Sequence, residues 1–274
     1  MSQIAYDPVK DRFAGIIRNS RFLRRLFYFA LDVFFLRSWH VRHTIRKIVK
    51  EASGSAPKIL DAGSGFGQYD RFLLKLFPDA QITAVDVKED YLRDCRFYFQ
   101  KEIKAGTITF EQQDLLEYSK PGFEFVLCVD VLEHIYEDVV VMKNLCDSLK
   151  PGGFFLMHSP SHLAEEDAGD DAFFVDEHAR AGYSEEELSQ KMMQAGLEPF
   201  LIKYTYGVLG HAAWVLIIKW PMLLLNRLGF GAVLLLPFWY CLSLIPALIM
   251  MKSDVLNQNK TGTGILGLAR RPVS

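Results

Sequence analysis

A strand-forming run that ends in alternate glycines, Lys58-Ile59-Leu60-Asp61-Ala62-Gly63-Ser64-Gly65-Phe66-Gly67, constrains this chain more than any other feature. Ile59 and Leu60 close a short apolar run of the kind a doubly buried parallel strand requires, and the glycines let the backbone turn tightly at its end. A second apolar run, Ile82-Thr83-Ala84-Val85, ends in Asp86. An acidic side chain at the tip of the next parallel strand is placed to accept hydrogen bonds from both hydroxyls of a ribose. Together the two runs predict a doubly wound α/β sheet with a nucleotide-bearing ligand across its strand ends.

Glycine spacing narrows the ligand. A dinucleotide fingerprint has its third glycine three residues after the second, leaving room for a pyrophosphate on the helix N-terminus. Here the pattern is Gly63-x-Gly65-x-Gly67, and Asp61 stands just before it. A carboxylate there repels a pyrophosphate and attracts a cationic group, such as the amino group of an amino acid. S-adenosylmethionine combines such an amino group with a sulfonium and a ribose.

Three further blocks follow in order: Gln113-Asp114-Leu115, Val129-Asp130-Val131-Leu132-Glu133-His134 and Leu149-Lys150-Pro151-Gly152-Gly153. With them, residues 56 to 160 resemble the class I S-adenosylmethionine-dependent methyltransferases, most of all the branch of small-molecule and quinone methylating enzymes. The resemblance implies a Rossmann-like, mostly parallel seven-stranded sheet with an antiparallel last strand. It implies that Asp61 and the loop of Gly63, Gly65 and Gly67 meet the methionine part, and that Asp86 with its neighbour Val87 holds the ribose. Asp114 would face the adenine amino group, Leu115 would supply a backbone contact, and Asp130 and Val131 would lie beneath the cofactor. Lys150 to Gly153 reads as a turn into the buried strand Phe154 to Met157.

A hydroxyl acceptor needs a group to take its proton. His134 follows the fourth strand, where substrate meets cofactor in the resembled fold, and histidine has an unperturbed pKa near 6.5. The same Leu-Glu-His block can instead hold a helix start. His178, in the loop before Ser184, is the second candidate; Ser184 with Glu187 forms a capping box for the helix that follows. Residues 165 to 177 are acidic and long enough to cover an acceptor. His158, His162 and Glu165 or Asp167 lack a helical i,i+4 context, so no metal site is expected. The four cysteines, Cys95, Cys128, Cys146 and Cys241, show no metal spacing and suit a reducing compartment.

Lys plus Arg at 31 against Asp plus Glu at 33 predicts no nucleic-acid partner. The distribution is uneven, however: residues 1 to 50 hold eleven Lys or Arg and three Asp. Within them Arg21, Arg24, Arg25, Tyr28 and Asp32 share one side of a helix whose remainder is aromatic-rich and apolar. Such a helix suits a membrane interface beside anionic headgroups, or a position on the core capping the cofactor cleft. The apolar run Leu26 to Leu36 contains Asp32 and lacks a small-residue cleavage site, so the segment is expected to stay attached and cytosolic.

Between Lys203 and Lys252 the only lysine or arginine residues are Lys219 and Arg227, and Leu228 to Met251 is an uncharged stretch of 24 residues. As a straight helix it would span about 36 Å, enough for a hydrocarbon core of about 30 Å. Pro237 and Pro246 oppose a straight helix. Strands are predicted over 198 to 206 and 264 to 269, and the resemblance implies that they form the final antiparallel pair; the apolar stretch would then be an insertion inside that pair, leaving and returning on one side. Arg227 to Gly231 reads as its turn, and an arginine there opposes a full crossing. The expectation is a shallow, broken helical hairpin in one leaflet; an oligomer interface or a lid is the alternative.

The expected organisation is a basic amphipathic helical segment over 1–50 and a cofactor-binding catalytic domain over 51–206. An apolar membrane-associated insertion over 207–258 and the last strand over 259–274 complete it. The expected activity is methyl transfer to oxygen of a lipophilic small molecule or lipid, at the cytoplasmic face of a membrane touched by residues 12–48 and 207–251. A nicotinamide-dependent oxidoreductase and a non-catalytic membrane assembly factor are the rival readings.

Overall fold

The computed structural model describes residues 20–50, 54, 56–164 and 179–273. Seven strands form one sheet: β1 (Lys58–Ala62), β2 (Gln81–Asp86), β3 (Ile108–Gln112), β4 (Phe123–Val129), β5 (Leu149–Pro160), β6 (Glu198–Thr205) and β7 (Gly264–Arg270). Their order across the sheet is β3-β2-β1-β4-β5-β7-β6, with β7 antiparallel to both neighbours. The expected α/β sheet with an antiparallel last strand is therefore present. Successive strands step one way from β1 and the other way from β4, which opens a crevice beyond their carboxyl ends.

Alternation along the strands builds two cores. Leu60, Val126, Cys128, Phe155 and Met157 enter one apolar layer, while Ile59, Phe125, Leu127, Phe154 and Leu156 enter the other. Helices α3 (Gln68–Leu76) and α4 (Glu89–Tyr98), with the short α5 (Gln100–Lys104), bring Phe72, Leu73, Leu92 and Cys95 to the second layer. Helices α6 (Asp138–Ser148) and α7 (Glu185–Gln194) supply Met142, Leu145, Leu188 and Met192 to the first. The Ser184 hydroxyl caps α7 by accepting the Glu187 N–H at 3.1 Å. The predicted turn at Lys150 to Gly153 is instead the bulged start of β5, where the register with β4 jumps between Phe123 and Phe125.

Ahead of the sheet lie α1 (Arg21–Phe34) and α2 (Leu36–Thr44), the latter continuing through a π turn over Ile45–Val49. The charged stripe expected on α1 is split by the fold. Arg24 and Tyr28 are buried against the domain, whereas Phe22, Leu26 and Phe29 stand exposed on the opposite side. Hydrogen-bond partners for Arg24 and Tyr28 inside the domain outweigh the solvation those polar groups would find at the surface.

Between β6 and β7 the chain forms α8 (Val208–Trp214), a π turn over Val215–Lys219, α9 (Trp220–Leu228), a tight turn at Gly229–Gly231 and α10 (Ala232–Leu256). Because Thr205 pairs with Gly264, the excursion leaves and returns at one point of the sheet edge. Val208–Arg227 and Leu234–Leu256 are each long and apolar enough to cross a membrane, and 22% and 17% of their most apolar windows are buried. The expected break at the prolines is absent, since α10 runs through Pro237 and Pro246. Pro221 cannot donate to the Ile217 carbonyl, and the Tyr240 hydroxyl does so instead at 3.0 Å. Leu36, Ala213, Ile217, Ala247, Met251 and Val255 pack the base of this hairpin against α2. There His40 Nε2 meets Asp254 Oδ1 at 2.7 Å, and Asp254 Oδ2 accepts the Gly210 N–H at 3.1 Å. Burial, opposed by Asp254, holds the His40 imidazole down at about 4, so it is neutral in the folded chain.

Candidate active site

The glycine loop closes over the ends of β1 and β2. Gly63 and Ser64 donate their N–H groups to the Val85 carbonyl at 2.8 and 2.9 Å. Asp86, at the tip of β2, fastens the loop: one carboxylate oxygen accepts the Gly65 N–H at 2.8 Å and the other accepts the Lys88 N–H at 2.8 Å. Each oxygen keeps a lone pair for a hydroxyl. Gly65 sits at φ +52, and among the described residues nothing beyond its chain neighbours lies within 4 Å of where a Cβ would point. That open space leaves room for a ligand to approach bare backbone.

Beneath the loop, Asp61 and Asp70 are buried together. Apart from one another, Asp61 Oδ2 and both Asp70 oxygens find no hydrogen-bond partner among the described residues. Burial raises both carboxyls, and the Asp61 charge raises Asp70 further, so the pair holds a proton at neutral pH. An unsatisfied buried carboxyl oxygen beside a backbone cradle, with Asp86 across from it, fits a ligand bearing an amino group and a ribose. These features match the donor needs of S-adenosylmethionine.

The N-terminal helices lock this loop from above. The Phe66 carbonyl accepts Arg24 Nη2 at 2.9 Å and the Tyr28 hydroxyl at 2.5 Å. The Phe66 ring stacks on Tyr91 with centroids 4.2 Å apart. Gln68 donates to Ser38 and Asp32 at 2.7 and 3.0 Å, and Asp32 also pairs with Arg42 at 2.5 Å.

Asp130 organises the other wall. It follows β4 at φ +53, an uncommon conformation for a residue other than glycine. One carboxylate oxygen pairs with Arg37 Nη1, and the other meets His158 Nδ1 at 2.9 Å. His158 Nε2 lies 3.0 Å from the Thr205 hydroxyl, and the Tyr206 hydroxyl accepts the Arg37 backbone N–H at 3.1 Å. Burial alone would raise Asp130, but Arg37 and His158 hold it well below the usual carboxylate range. Next to it, burial and the Asp130 charge push Glu133 up to about 8, while Ser159 donates to its carboxyl oxygen at 3.0 Å. The side chains of Arg37 and Asp130 remain 31% and 23% exposed, so the pair faces an open cleft.

The remaining predicted residues are distributed around these two walls. Val131 lies under Gly63. Leu115 is buried and its carbonyl accepts Asn144 Nδ2 at 3.0 Å, while exposed Asp114 caps its own turn through the Leu116 N–H at 2.9 Å. Val87 is exposed, and its carbonyl accepts Gln112 Nε2 at 3.0 Å. His134 ends a tight helical turn, Leu132–His134, as an exposed side chain, whereas His158 is the buried imidazole that touches Asp130. His178 and the acidic stretch 165–177 lie outside the described residues. Among the described residues no three His, Cys, Asp or Glu side chains form a metal-binding group.

Residues 59–153 match the family model described as a methyltransferase domain. This segment, about a third of the chain, is similar to methyltransferase domains. A Synechococcus protein of uncharacterised function is 36% identical over 99 residues, 35% of this chain and 24% of that protein. The ubiquinone biosynthesis O-methyltransferase of Xanthomonas campestris is 26% identical over 97 residues, 35% of this chain and 40% of that enzyme. The chain thus spans well under half the length of both relatives. Among solved structures, Haemonchus contortus phosphoethanolamine N-methyltransferase 2 with S-adenosyl-L-methionine superposes with a TM-score of 0.61 at 16% identity, over 95% of this chain and 60% of that one. At that identity the likeness is one of fold.

The matched segment leaves out several residues of the site, on both sides of it. Arg37 comes from α2, His158 from the end of β5, and Thr205 and Tyr206 from the end of β6. Arg37 meets Asp130 across 93 residues of sequence. No local pattern marks Arg37, since one arginine among eleven basic residues in the N-terminal fifty has no distinguishing spacing. His158 carries a faint signal as a polar residue following the four apolar strand positions Phe154 to Met157.

Proposed function

We propose that this chain is an S-adenosylmethionine-dependent methyltransferase working at the cytoplasmic face of a membrane on a lipophilic acceptor, with oxygen as the methylated atom. One observation carries the reading: the Gly65 cradle, held between Asp86 and the Asp61–Asp70 pair, opens beside Asp130 on a body that also bears an exposed apolar hairpin. When bound, S-adenosylmethionine supplies a methyl group activated by a sulfonium. Asp61, Gly63, Gly65 and Gly67 would hold its amino acid portion, Asp86 with Val87 the ribose, and Asp114 with Leu115 the adenine, while Asp130 and Val131 form the floor.

The chain's own contribution is orientation and exclusion of water. Asp130, kept ionised by Arg37, is a poor proton acceptor and a good hydrogen-bond acceptor, so its role is to orient an acceptor hydroxyl. His158 donates Nδ1–H to Asp130 and accepts the Thr205 hydroxyl at Nε2, which fixes the imidazole and the carboxylate together. His134, exposed beside the cleft, and His178 are the proposed proton acceptors. The N-terminal helices, packed on the Phe66 loop, would keep water from that side of the cleft, where charge is neutralised during transfer.

The membrane reading is supported by Phe238, Leu242, Ile245 and Ile249, which line one exposed face of α10, with Leu242 81% exposed. It is also supported by the exposed Phe22, Leu26 and Phe29 on α1 beside Arg21 and Arg25. Weak similarity to a ubiquinone O-methyltransferase favours oxygen and a lipophilic acceptor. Incubation of the full chain with methyl-labelled cofactor and lipid extract from its own source should give a labelled lipid-phase product stable to mild base hydrolysis of esters. Cofactor binding without any labelled product would favour an assembly factor, and binding of a nicotinamide cofactor in its place would favour an oxidoreductase.

A further inference from the structure

A second cavity lies away from the cofactor cleft, where the apolar hairpin rejoins the sheet. Its volume is about 630 Å³, and its walls include His43, Lys47, Lys203, Val255 and Lys260, with Glu185 as the one acidic residue. Three separate elements deliver the cations: α2 and its π turn bring His43 and Lys47, β6 brings Lys203, and the loop after α10 brings Lys260. Among the described residues no ion pair is made by Lys47, Lys203 or Lys260. The charges of Lys47 and Lys203 act on one another and on His43 instead. Burial, opposed by Asp254, and the neighbouring Lys47 lower the Lys203 ammonium; burial and the charges of Lys203, Lys47 and Lys252 lower His43.

Cations gathered around an open space from three elements, with a single carboxylate among them, are arranged for an anion rather than for one another. Position selects its kind. Val255 and Leu256, in the last turn of α10, form part of the wall, so the cavity sits where an apolar hairpin would meet the headgroup layer. We propose that this cavity binds the phosphate of an anionic lipid headgroup. The proposal rests on the reading of the hairpin as membrane-seated, and it adds a reason why the chain would select anionic bilayers and hold a fixed depth and tilt. Three lysines brought to the headgroups by the fold act where surface electrostatics are strongest.

The test is co-sedimentation of the full chain with phosphatidylcholine vesicles, and with the same vesicles containing one-fifth phosphatidic acid. Wild type should bind the anionic vesicles about tenfold or more tightly than the neutral ones. The K47Q/K203Q/K260Q variant should lose that difference while still binding neutral vesicles. The K47Q/K260Q variant, changed only at exposed positions, should lose most of it and guards against misfolding from the half-buried Lys203. A charge-matched control at exposed lysines of α3 and α5, K75Q/K101Q/K104Q, should retain most of the difference. Equal losses in the two triple variants would overturn the cavity in favour of diffuse surface charge. Stabilisation of detergent-dispersed wild type by inorganic phosphate, absent in the cavity variant and unaccompanied by any vesicle preference, would overturn the lipid assignment in favour of a free phosphate ligand. Failure of wild type to bind either vesicle would instead sink the membrane reading beneath the proposal.

Discussion

Replacing Gly63 with alanine probes the glycine loop through stability rather than turnover. Gly63 stands at φ +80, and a Cβ on it would lie 2.2 Å from Val131 Cγ2. Two costs follow. The left-handed backbone disfavours an L side chain by roughly 1–2 kcal/mol. Overpacking against Val131, itself packed on the core, adds about 1–3 kcal/mol. Gly65 has the same kind of backbone with open space around the Cβ position, so Gly65→Ala carries the first cost alone. Gly63→Ala should therefore lose about 2–5 kcal/mol and Gly65→Ala about 1–2 kcal/mol. In a chain of this size each kcal/mol moves Tm by roughly 2–4 °C, so calorimetry without cofactor should rank the two clearly. Adding Val131→Ala to Gly63→Ala removes the obstructing methyl groups and should recover about 1–2 kcal/mol as a coupling energy. Titration with S-adenosylmethionine should show a second contrast, with Gly65→Ala weakening binding strongly despite its mild effect on stability, because its methyl enters the cradle. Equal destabilisation by the two alanines, or no coupling to Val131, would refute this account of the loop.

Asp61 and Asp70 bind more protons in the folded chain than in the unfolded one, so they make stability fall as pH rises from about 4, the unfolded carboxylate value, toward neutrality. Asp70→Asn should consequently gain Tm over wild type at pH 8 and show no gain at pH 4. His40 has the opposite sign: its folded value near 4 lies below the unfolded value near 6.5, so its contribution is present above pH 6.5 and lost as pH falls toward 4. An acid-side decline in Tm over that interval, flattened in His40→Gln, is the expected result of a calorimetric pH series. Arg37→Gln leaves Asp130 with His158 alone in a half-open cleft. A loss of about 1–2 kcal/mol and an upward move of the Asp130 titration, followed by carbon NMR of labelled aspartate, should accompany it. Phe238→Glu with Leu242→Glu changes two exposed side chains, so the chain should stay folded by circular dichroism. It should lose vesicle binding, at about 2.5–3.5 kcal/mol for each charge taken into hydrocarbon.

The doubly wound sheet was legible because its evidence is local and repeated. Each buried strand announces itself as a short apolar run, and the tip residues Asp61, Asp86, Asp114 and Asp130 follow at fixed places after those runs. Backbone conformation makes the glycine loop legible too, since Gly65 at φ +52 is a position other residues rarely fill. The hairpin was legible as composition, and its return to the same sheet edge followed from the two strands that flank it. Its continuity was not: α10 runs through Pro237 and Pro246, and in α9 the Tyr240 hydroxyl supplies to the Ile217 carbonyl the bond that Pro221 withholds, a tertiary contact that no local pattern encodes.

Long-range contacts decided the rest. Asp70 reads as an ordinary residue in the first turn of a helix until burial sets it against Asp61. Arg24 and Tyr28 read as the polar face of a surface helix until the Phe66 carbonyl, about forty positions onward, draws them inside. The cation that holds Asp130 ionised comes from 93 residues away, and the cation-lined cavity takes its walls from α2, β6 and the end of α10. Sequence by itself determined where the strands end and which loop bares its backbone, because those depend on side-chain volume and φ over a few consecutive residues. Only the tertiary structure decided which charges meet, because that depends on how the N-terminal helices and the apolar hairpin pack upon the sheet.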